Sequence, residues 1–186
     1  MPFENTETDM NWFRDNFYDS FYNYYKDIVL HRRGTMMTDA ETQEYVRETG
    51  KKEWYFFVAL PVSNTFRAVA IMVEGRRVGG CFYEILDRNV NTIYVAQFFI
   101  CTPFQRMKIG TRFLLNELRR LHPDCQMVFY LTRHANQRSI HMARRIRAEN
   151  KRVDHYHATG SYEMEESRER YNCFVLENYQ NSPRYW

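Results

Sequence analysis

The sequence predicts a mixed α/β fold in which helices cover the faces of a sheet. Three observations lead to this fold class. Apolar residues recur at helical spacing before residue 50, dense aromatic and β-branched runs follow from residue 54 to 101, and helix and strand then alternate. With 186 residues we expect a single domain, comprising N-terminal helices at 1–50 and a sheet-and-helix core at 54–178.

Two helices are expected first. The first runs from Asp9 to about Leu30, where large apolar residues recur three or four positions apart on one face, namely Phe13, Phe17, Phe21, Tyr24 and Ile28. The second begins at Thr38, with Glu41 as its capping-box partner, and should end near Gly50. The aromatic stripe of the first helix is typical of a face that packs against a core or an interface.

Four strands should follow, at residues 54–60, 66–73, 78–86 and 92–101. The segment Glu74–Arg77 contains Gly75 and provides a hairpin turn between the second and third of them.

The rest of the chain alternates. A helix is predicted at Lys108–Leu121, a short buried strand at Met127–Thr132 and an arginine-rich helix at Ala135–Ala148. An antiparallel pair at His155–Glu163 and Arg170–Glu177 is expected to end the sheet.

The composition excludes several classes of protein. A hydrophobic content of 44% excludes a disordered chain, and no run approaches the ~18 apolar residues that a membrane span requires. The acidic, aromatic start has neither the basic end nor the apolar run of a secretory signal. The four cysteines include no CxxC pair, so we expect no metal site, no disulfide framework and a reducing, cytoplasmic setting.

The charge is unevenly distributed along the chain. Residues 1–50 contain five lysines and arginines against ten acidic residues, whereas residues 91–152 contain 12 against three. The basic block indicates either a polyanion site or a solvated, arginine-rich helix face. Few aromatic residues interleave with its arginines, which weakens the case for a nucleic acid as the partner.

The most informative segment is a strand, a short basic loop and a helix at residues 93–115. A helix start exposes unpaired N–H groups that bind phosphates, and Arg106 and Lys108 add two cations there. Gly110 lacks a side chain, so we expect the backbone to approach a bound group closely. Neither GxxxxGK[ST] nor GxGxxG is present.

This segment resembles the pyrophosphate loop, [Q/R]-x-x-G-x-[G/A], of the GNAT superfamily of acetyl-CoA-dependent N-acetyltransferases. Gln105 and Gly110 match the first and last positions, and Lys108 stands where the family has its middle glycine. Ile100 matches the strand end that binds pantetheine in the family, and Thr102 follows at the expected spacing.

A second family element, N-x-x-[A/S] at the start of a helix, is matched by Asn136 and Ser139. The family commonly has a tyrosine seven residues after the asparagine, which acts as the general acid on the leaving thiolate. That position is Ala143 here, which leaves His141, Tyr130 or solvent for the role.

The resemblance implies a mixed, mostly antiparallel sheet flanked by helices, and transfer of acetyl from acetyl-CoA to a primary amine by direct attack. The residues that it implies for cofactor binding are Ile100, Cys101, Thr102, Gln105, Arg106, Met107, Lys108, Ile109, Gly110, Thr111, Asn136 and Ser139. The candidates for proton transfer are Glu84, Tyr94, Gln97 and His141.

Each of these assignments has a structural alternative. The loop at 105–111 could be a plain helix start, Asn136 a helix cap, and Glu84, Tyr94 and Gln97 ordinary sheet residues. Two other functions also stay open, a CoA- or protein-binding module without turnover and an acetyltransferase acting on RNA. The acidic N-terminal helices favour a cationic acceptor, with a protein lysine ahead of a polyamine.

Overall fold

The computed structural model describes residues 1–33, 38–55, 58, 64–86, 91–133, 136–151 and 171–181. It confirms the predicted fold class, because helices cover both faces of a mixed sheet in which antiparallel pairings predominate.

The sheet has six strands in the described part of the chain. They are β1 (Phe66–Val73), β2 (Arg76–Leu86), β3 (Thr92–Ile100), β4 (Met127–Arg133), β5 (Glu149–Lys151) and β6 (Tyr171–Leu176). Their spatial order is β1-β2-β3-β4-β6-β5. Among these strands β3 and β4 alone pair in parallel, and this central pairing joins an N-terminal to a C-terminal antiparallel half.

The helices are α1 (Glu7–Arg33), α2 (Asp39–Trp54), α3 (Ile109–Arg112), α4 (Leu118–Leu121) and α5 (Gln137–Arg145). A π-helical segment, Phe113–Glu117, joins α3 to α4, so residues 109–121 form one helical run. The predicted capping box is present, since Thr38 and Glu41 each bond the other's backbone N–H. No helix in the described ranges combines the length and apolarity needed to cross a bilayer.

The prediction of a strand at 54–60 is wrong at its start. Trp54 ends α2, and Tyr55 and Val58 are also helical, while the other residues of this range lie outside those described. Gly50, predicted as the helix stop, lies inside α2. A Cβ at this position would come within 3.2 Å of Phe17 Cδ1. The glycine therefore allows α1 and α2 to pack closely, and tertiary contact overrides its low helix propensity.

The end of the chain also differs from the prediction. Strand β6 is confirmed, but its antiparallel partner on the outer side is β5, in a range where the sequence predicted no regular structure. Helix α5 ends at Arg145, and Arg147 adopts a left-handed φ of 58°, which turns the chain into β5. The predicted strand at His155–Glu163 lies outside the described residues.

The two faces of the sheet have separate cores. On one face, α1 and α2 cover β1–β3 through an aromatic cluster that includes Phe3, Phe13, Phe17, Trp54, Phe82 and Phe99. On the other face, α3, α4 and α5 pack on the sheet through a larger cluster that includes Val95, Leu114, Leu118, Tyr130 and Ala143. Phe13 and Phe17 of the predicted stripe thus belong to the core, one of the two roles that the spacing allowed, and Phe21 packs against it.

Candidate active site

A cavity opens where β3 and β4 separate. Their parallel pairing runs only from Thr92 opposite Met127 to Val95 opposite Tyr130, after which β3 continues without β4 beside it. A bulge leaves Ala96 unpaired at this point, and a bulge of this kind bends a strand and increases its twist. The resulting cavity measures about 710 Å³ and lies between β3, β4, α5 and the loop that precedes α3.

One edge of β3 faces this cavity with backbone polar groups. The Cys101 N–H donates to the Val78 carbonyl at 2.9 Å, so this position pairs directly with β2. Antiparallel strands alternate such positions, and the backbone groups of Phe98 and Ile100 therefore point away from β2, toward the gap. An extended ligand with amide groups can pair with this edge as another strand would.

Gln105 ties the end of β3 to α5. Its Nε2 donates to the Ile100 carbonyl at 2.9 Å, and its Oε1 accepts from Arg138 Nη1 at 3.1 Å. The side chain is half-buried, and Arg138 lines the cavity. Gln105 thus helps to hold a guanidinium at the wide end of the gap.

The loop before α3 combines left-handed backbone with positive charge. Arg106 has a φ of 66° and Lys108, which directly precedes the helix, a φ of 61°. Turns of this geometry gather N–H groups into anion-binding concavities. Both side chains line the cavity. Lys108 therefore adopts a left-handed conformation that glycine adopts without steric cost. This accounts for the glycine at the same position of the motif that the loop resembles.

Gly110 lines the cavity and also packs closely against β3. A Cβ at this position would lie 3.0 Å from Phe98 Cε1 and 3.2 Å from Phe98 Cζ. The glycine is thus required for the helical run to pack against β3. The expectation that the backbone at Gly110 approaches a bound group closely stays a prediction beside this packing role.

Helix α5 closes the far side of the cavity. Asn136 caps this helix, since its Oδ1 accepts from the Ser139 N–H at 3.1 Å, and both residues line the cavity. His141 is exposed and also lies along the lining. Tyr130 contributes a phenol that is 6% exposed, at the narrow end where β3 and β4 part.

Two of the other candidates for proton transfer, Glu84 and Tyr94, lie on the face of the sheet opposite α3–α5. Glu84 and Tyr94 stand directly opposite each other in the β2–β3 pairing, and neither lines the cavity. Tyr94 stacks on Phe129 with ring centroids 5.0 Å apart, and Glu84 Oε1 accepts from the Thr65 hydroxyl at 3.1 Å. Gln97 does line the cavity.

Three residues of the expected cofactor set lie outside the cavity lining. Cys101 is buried in the aromatic cluster, where burial raises the pKa of its thiol to about 11. Thr102 Oγ1 donates to the Asp19 carbonyl at 3.2 Å, and Met107 is 61% exposed. The expected residues that the structure does bring together on the lining are Ile100, Gln105, Arg106, Lys108, Ile109, Gly110, Thr111, Asn136 and Ser139.

The cavity lining also includes residues outside the twelve expected for the cofactor, among them Phe98, Arg138 and Arg145. The alternation of a strand provided a signal for Phe98, which shares a face with Ile100. Arg138 and Arg145 belong to the basic block of the sequence. Which arginines of that block face the cavity depends on the placement of α5.

The model of the acetyltransferase (GNAT) family matches residues 26–147, about two thirds of the chain. Among curated proteins no sequence matches.

Solved structures share the fold at low sequence identity. The PaiA N-acetyltransferase of Thermoplasma acidophilum, crystallised with coenzyme A, superposes with a TM-score of 0.64 at 12% identity over 95% of this chain and 98% of its own. An acetyltransferase from Thermus thermophilus gives a TM-score of 0.57 at 11% identity, over 95% of this chain and 94% of its own. At this level of identity the likeness concerns the fold.

Proposed function

Because the chain belongs to the acetyltransferase (GNAT) family, we propose that it transfers the acetyl group of acetyl-CoA to a primary amine by direct attack in a ternary complex. The observation that supports this function is the cavity between the diverging strands β3 and β4. It combines cations at its wide end with an uncovered strand edge along its side, which suits a donor that is anionic at one end and extended in the middle.

The pyrophosphate would occupy the loop at 106–109, where Arg106 and Lys108 line the cavity and Arg138 is held nearby by Gln105. The pantetheine arm would run along β3 and pair with the backbone of Phe98 and with the N–H of Ile100, since the Ile100 carbonyl already accepts from Gln105 Nε2. From Ile100 to Val95 the strand covers roughly 16 Å at about 3.3 Å per residue, a length that this arm can span when extended. The thioester would then lie at the narrow end, beside the bulge.

Direct transfer needs few side chains. The neutral amine nitrogen attacks the thioester carbonyl, and the N–H of Phe98 is our proposed hydrogen-bond donor to the oxygen on which negative charge develops. The amine must lose a proton, for which Gln97, Glu84 and Tyr94 stay predicted members of a water-mediated relay on the acceptor side. Holding the two reactants together supplies much of the rate enhancement.

We propose a cationic acceptor, with a protein lysine ahead of a polyamine. The Asp19 backbone carbonyl in α1 accepts from the Thr102 hydroxyl at 3.2 Å, which places this part of α1 beside the end of β3, and the Asp19 side chain is exposed. Asp15, one turn earlier, is also exposed. Acetylation rates on peptides that differ only in charge beside the lysine should favour basic flanks, and high salt should reduce that preference. Faster reaction with acidic flanks would contradict the assignment.

Titration calorimetry with acetyl-CoA, followed by turnover on a panel of amines, tests the whole proposal. We expect Arg106→Ala and Arg138→Ala each to weaken binding about tenfold or more, since each removes a charged contact to phosphate. Arg76→Ala is the matched control, because Arg76 is exposed in the β1–β2 hairpin and does not line the cavity. Equal losses in all three variants, or no binding by the wild type, would refute the assignment of the cavity.

A further inference from the structure

The end of β4 presents a buried polar side chain to the cavity. Thr132 is 5% exposed and lines the cavity, yet its hydroxyl takes part in no hydrogen bond with the described part of the chain. Buried polar groups in folded proteins are as a rule hydrogen-bonded. An unpaired hydroxyl on a cavity wall therefore indicates that a polar ligand atom belongs beside it.

The Thr132 hydroxyl is open to the cavity. Two residues earlier, the Tyr130 hydroxyl also lacks a partner among the described residues, but that oxygen is fully enclosed. The Thr132 oxygen is not enclosed in this way, and its residue forms part of the cavity wall. A ligand in the cavity can therefore reach Thr132 Oγ1, whereas it cannot reach the phenol oxygen.

Thr132 lies just beyond the point where β3 and β4 part. Tyr130 is the last β4 residue paired with β3, and it stands opposite Val95. Two residues on, Thr132 is about 7 Å farther toward the wide end, at about 3.3 Å per residue. Alternate residues of a strand share a face, so Thr132 faces the same side of the sheet as Val128 and Tyr130, whose cluster packs against α3–α5.

On the basis of the proposed function, we infer that the Thr132 hydroxyl donates a hydrogen bond to the carbonyl oxygen of the pantetheine amide nearest the thioester. In that function the thioester lies at the narrow end, and the arm runs along β3 toward the loop at 106–109. Two methylene groups separate this amide from the sulfur, which brings it level with Thr132 rather than with the wide end.

The chemistry of the side chain suits an amide. A threonine hydroxyl is uncharged and can both donate and accept a hydrogen bond. The cations proposed for the phosphates, Arg106 and Lys108, belong to a different wall, the loop before α3. The arm is thus held from two sides, by the backbone of β3 and by a side chain of β4, and this fixes how far the thioester reaches into the cavity.

Binding of two ligands to matched variants tests the inference. Acetyl-CoA and adenosine bisphosphate, the nucleotide end of coenzyme A without the pantetheine arm, are titrated by calorimetry into the wild type, Thr132→Val and Thr132→Ser. Thr132→Val keeps the shape and removes the hydroxyl. Acetyl-CoA should bind to it about 3- to 10-fold more weakly, the effect of one hydrogen bond, while affinity for the bisphosphate stays within about twofold. Thr132→Ser keeps the hydroxyl and should bind acetyl-CoA within about threefold of the wild type.

Thr42→Val is the matched control. Thr42 is a buried threonine outside the cavity, and its hydroxyl donates to the Thr38 carbonyl at 3.0 Å. Loss of that hydrogen bond should lower the melting temperature by about 2–4 °C and leave acetyl-CoA affinity as in the wild type. Thr132→Val should keep the melting temperature of the wild type, because its hydroxyl is not bonded within the described residues.

Three results would overturn the inference. The first is unchanged acetyl-CoA affinity in Thr132→Val, and the second is an equal loss for both ligands, which would place the effect outside the arm. The third is a Thr132→Ser variant as weak as Thr132→Val, which would assign the loss to packing. Failure of the wild type to bind either ligand would refute the proposed function, on which the inference depends.

Discussion

Arg138 Nη1 of α5 donates a hydrogen bond at 3.1 Å to Oε1 of Gln105, in the loop that follows β3. This contact bridges the gap between the two walls of the cavity, because the same Gln105 side chain donates to the carbonyl of Ile100. Gln105, which the sequence predicted to bind the cofactor, therefore also positions the Arg138 guanidinium of α5 at the cavity.

Gln105→Ala should weaken acetyl-CoA binding about tenfold, because Arg138 loses the partner that orients it. The free energy of unfolding should change by less than about 1.5 kcal/mol, since Gln105 is only half-buried. Calorimetry and urea denaturation measure the two quantities. Gln126→Ala is the control, because Gln126 is exposed and outside the cavity. Unaltered affinity in Gln105→Ala would mean that Arg138 needs no such support.

Lys108 allows charge and backbone strain to be separated. Its φ of 61° is unfavourable for any residue with a Cβ, so Lys108→Gly should raise the free energy of unfolding by up to about 1 kcal/mol. Lys108→Ala keeps the strain and should give no such gain. Both variants remove the cation and should weaken acetyl-CoA binding, by about tenfold.

Thermal unfolding and calorimetry on the two Lys108 variants decide between the alternatives. Tighter binding by Lys108→Gly would show that the lysine side chain obstructs the cofactor. Equal stability of the glycine and alanine variants would argue that the left-handed turn carries little strain.

Gly110→Ala should lower the free energy of unfolding by about 1–3 kcal/mol, because the added methyl group meets the Phe98 ring at 3.0 Å. The ring is the obstacle, so Phe98→Ala should reduce the cost of the second substitution. A double-mutant cycle measured by urea denaturation tests this coupling. Additive effects would show that Gly110 does not contact Phe98 in this way.

Glu53 predicts a pH dependence of stability. Burial raises its pKa to about 7 in the folded protein, above the ordinary value of 4.5. The folded state therefore binds more protons than the unfolded state between these values, and the free energy of unfolding should fall as pH rises through this window. The loss at neutral pH should reach up to about 3 kcal/mol.

Denaturation curves of wild type and Glu53→Gln between pH 4 and pH 8, roughly the span of the titration, measure this effect. The variant should lack the decline, because the amide does not titrate. Glu44→Gln, an exposed substitution on the same helix, should behave as the wild type does. A decline of equal size in Glu53→Gln would assign the pH dependence to other groups.

Much of the fold was predictable because local patterns agree with the tertiary structure. The capping box at Thr38 and Glu41, the strand at 66–73 and the hairpin at Gly75 all appear as expected. The error at Trp54 has a physical cause. An aromatic run fits a strand equally well, but in this chain Trp54 buries its ring against Phe13 of α1, with centroids 5.6 Å apart.

The candidate site was predictable in its loop and less so in its walls. The spacing from Gln105 to Gly110 indicated a phosphate-binding turn, and the left-handed backbone at Arg106 and Lys108 is compatible with that prediction. Local spacing could not reveal that Gly110 serves packing, because the ring that requires it belongs to a different element, β3.

The sequence by itself determined the order of the main elements, the basic loop and the family motif, since each depends on residues close together in the chain. The tertiary structure alone decided which groups share the cavity. The pairing of β3 with β4 ends at Val95 and Tyr130, residues 35 positions apart in the sequence. Where two strands stop pairing depends on what packs above and below them, so the unpartnered hydroxyl of Tyr130 emerged only when the chain was folded.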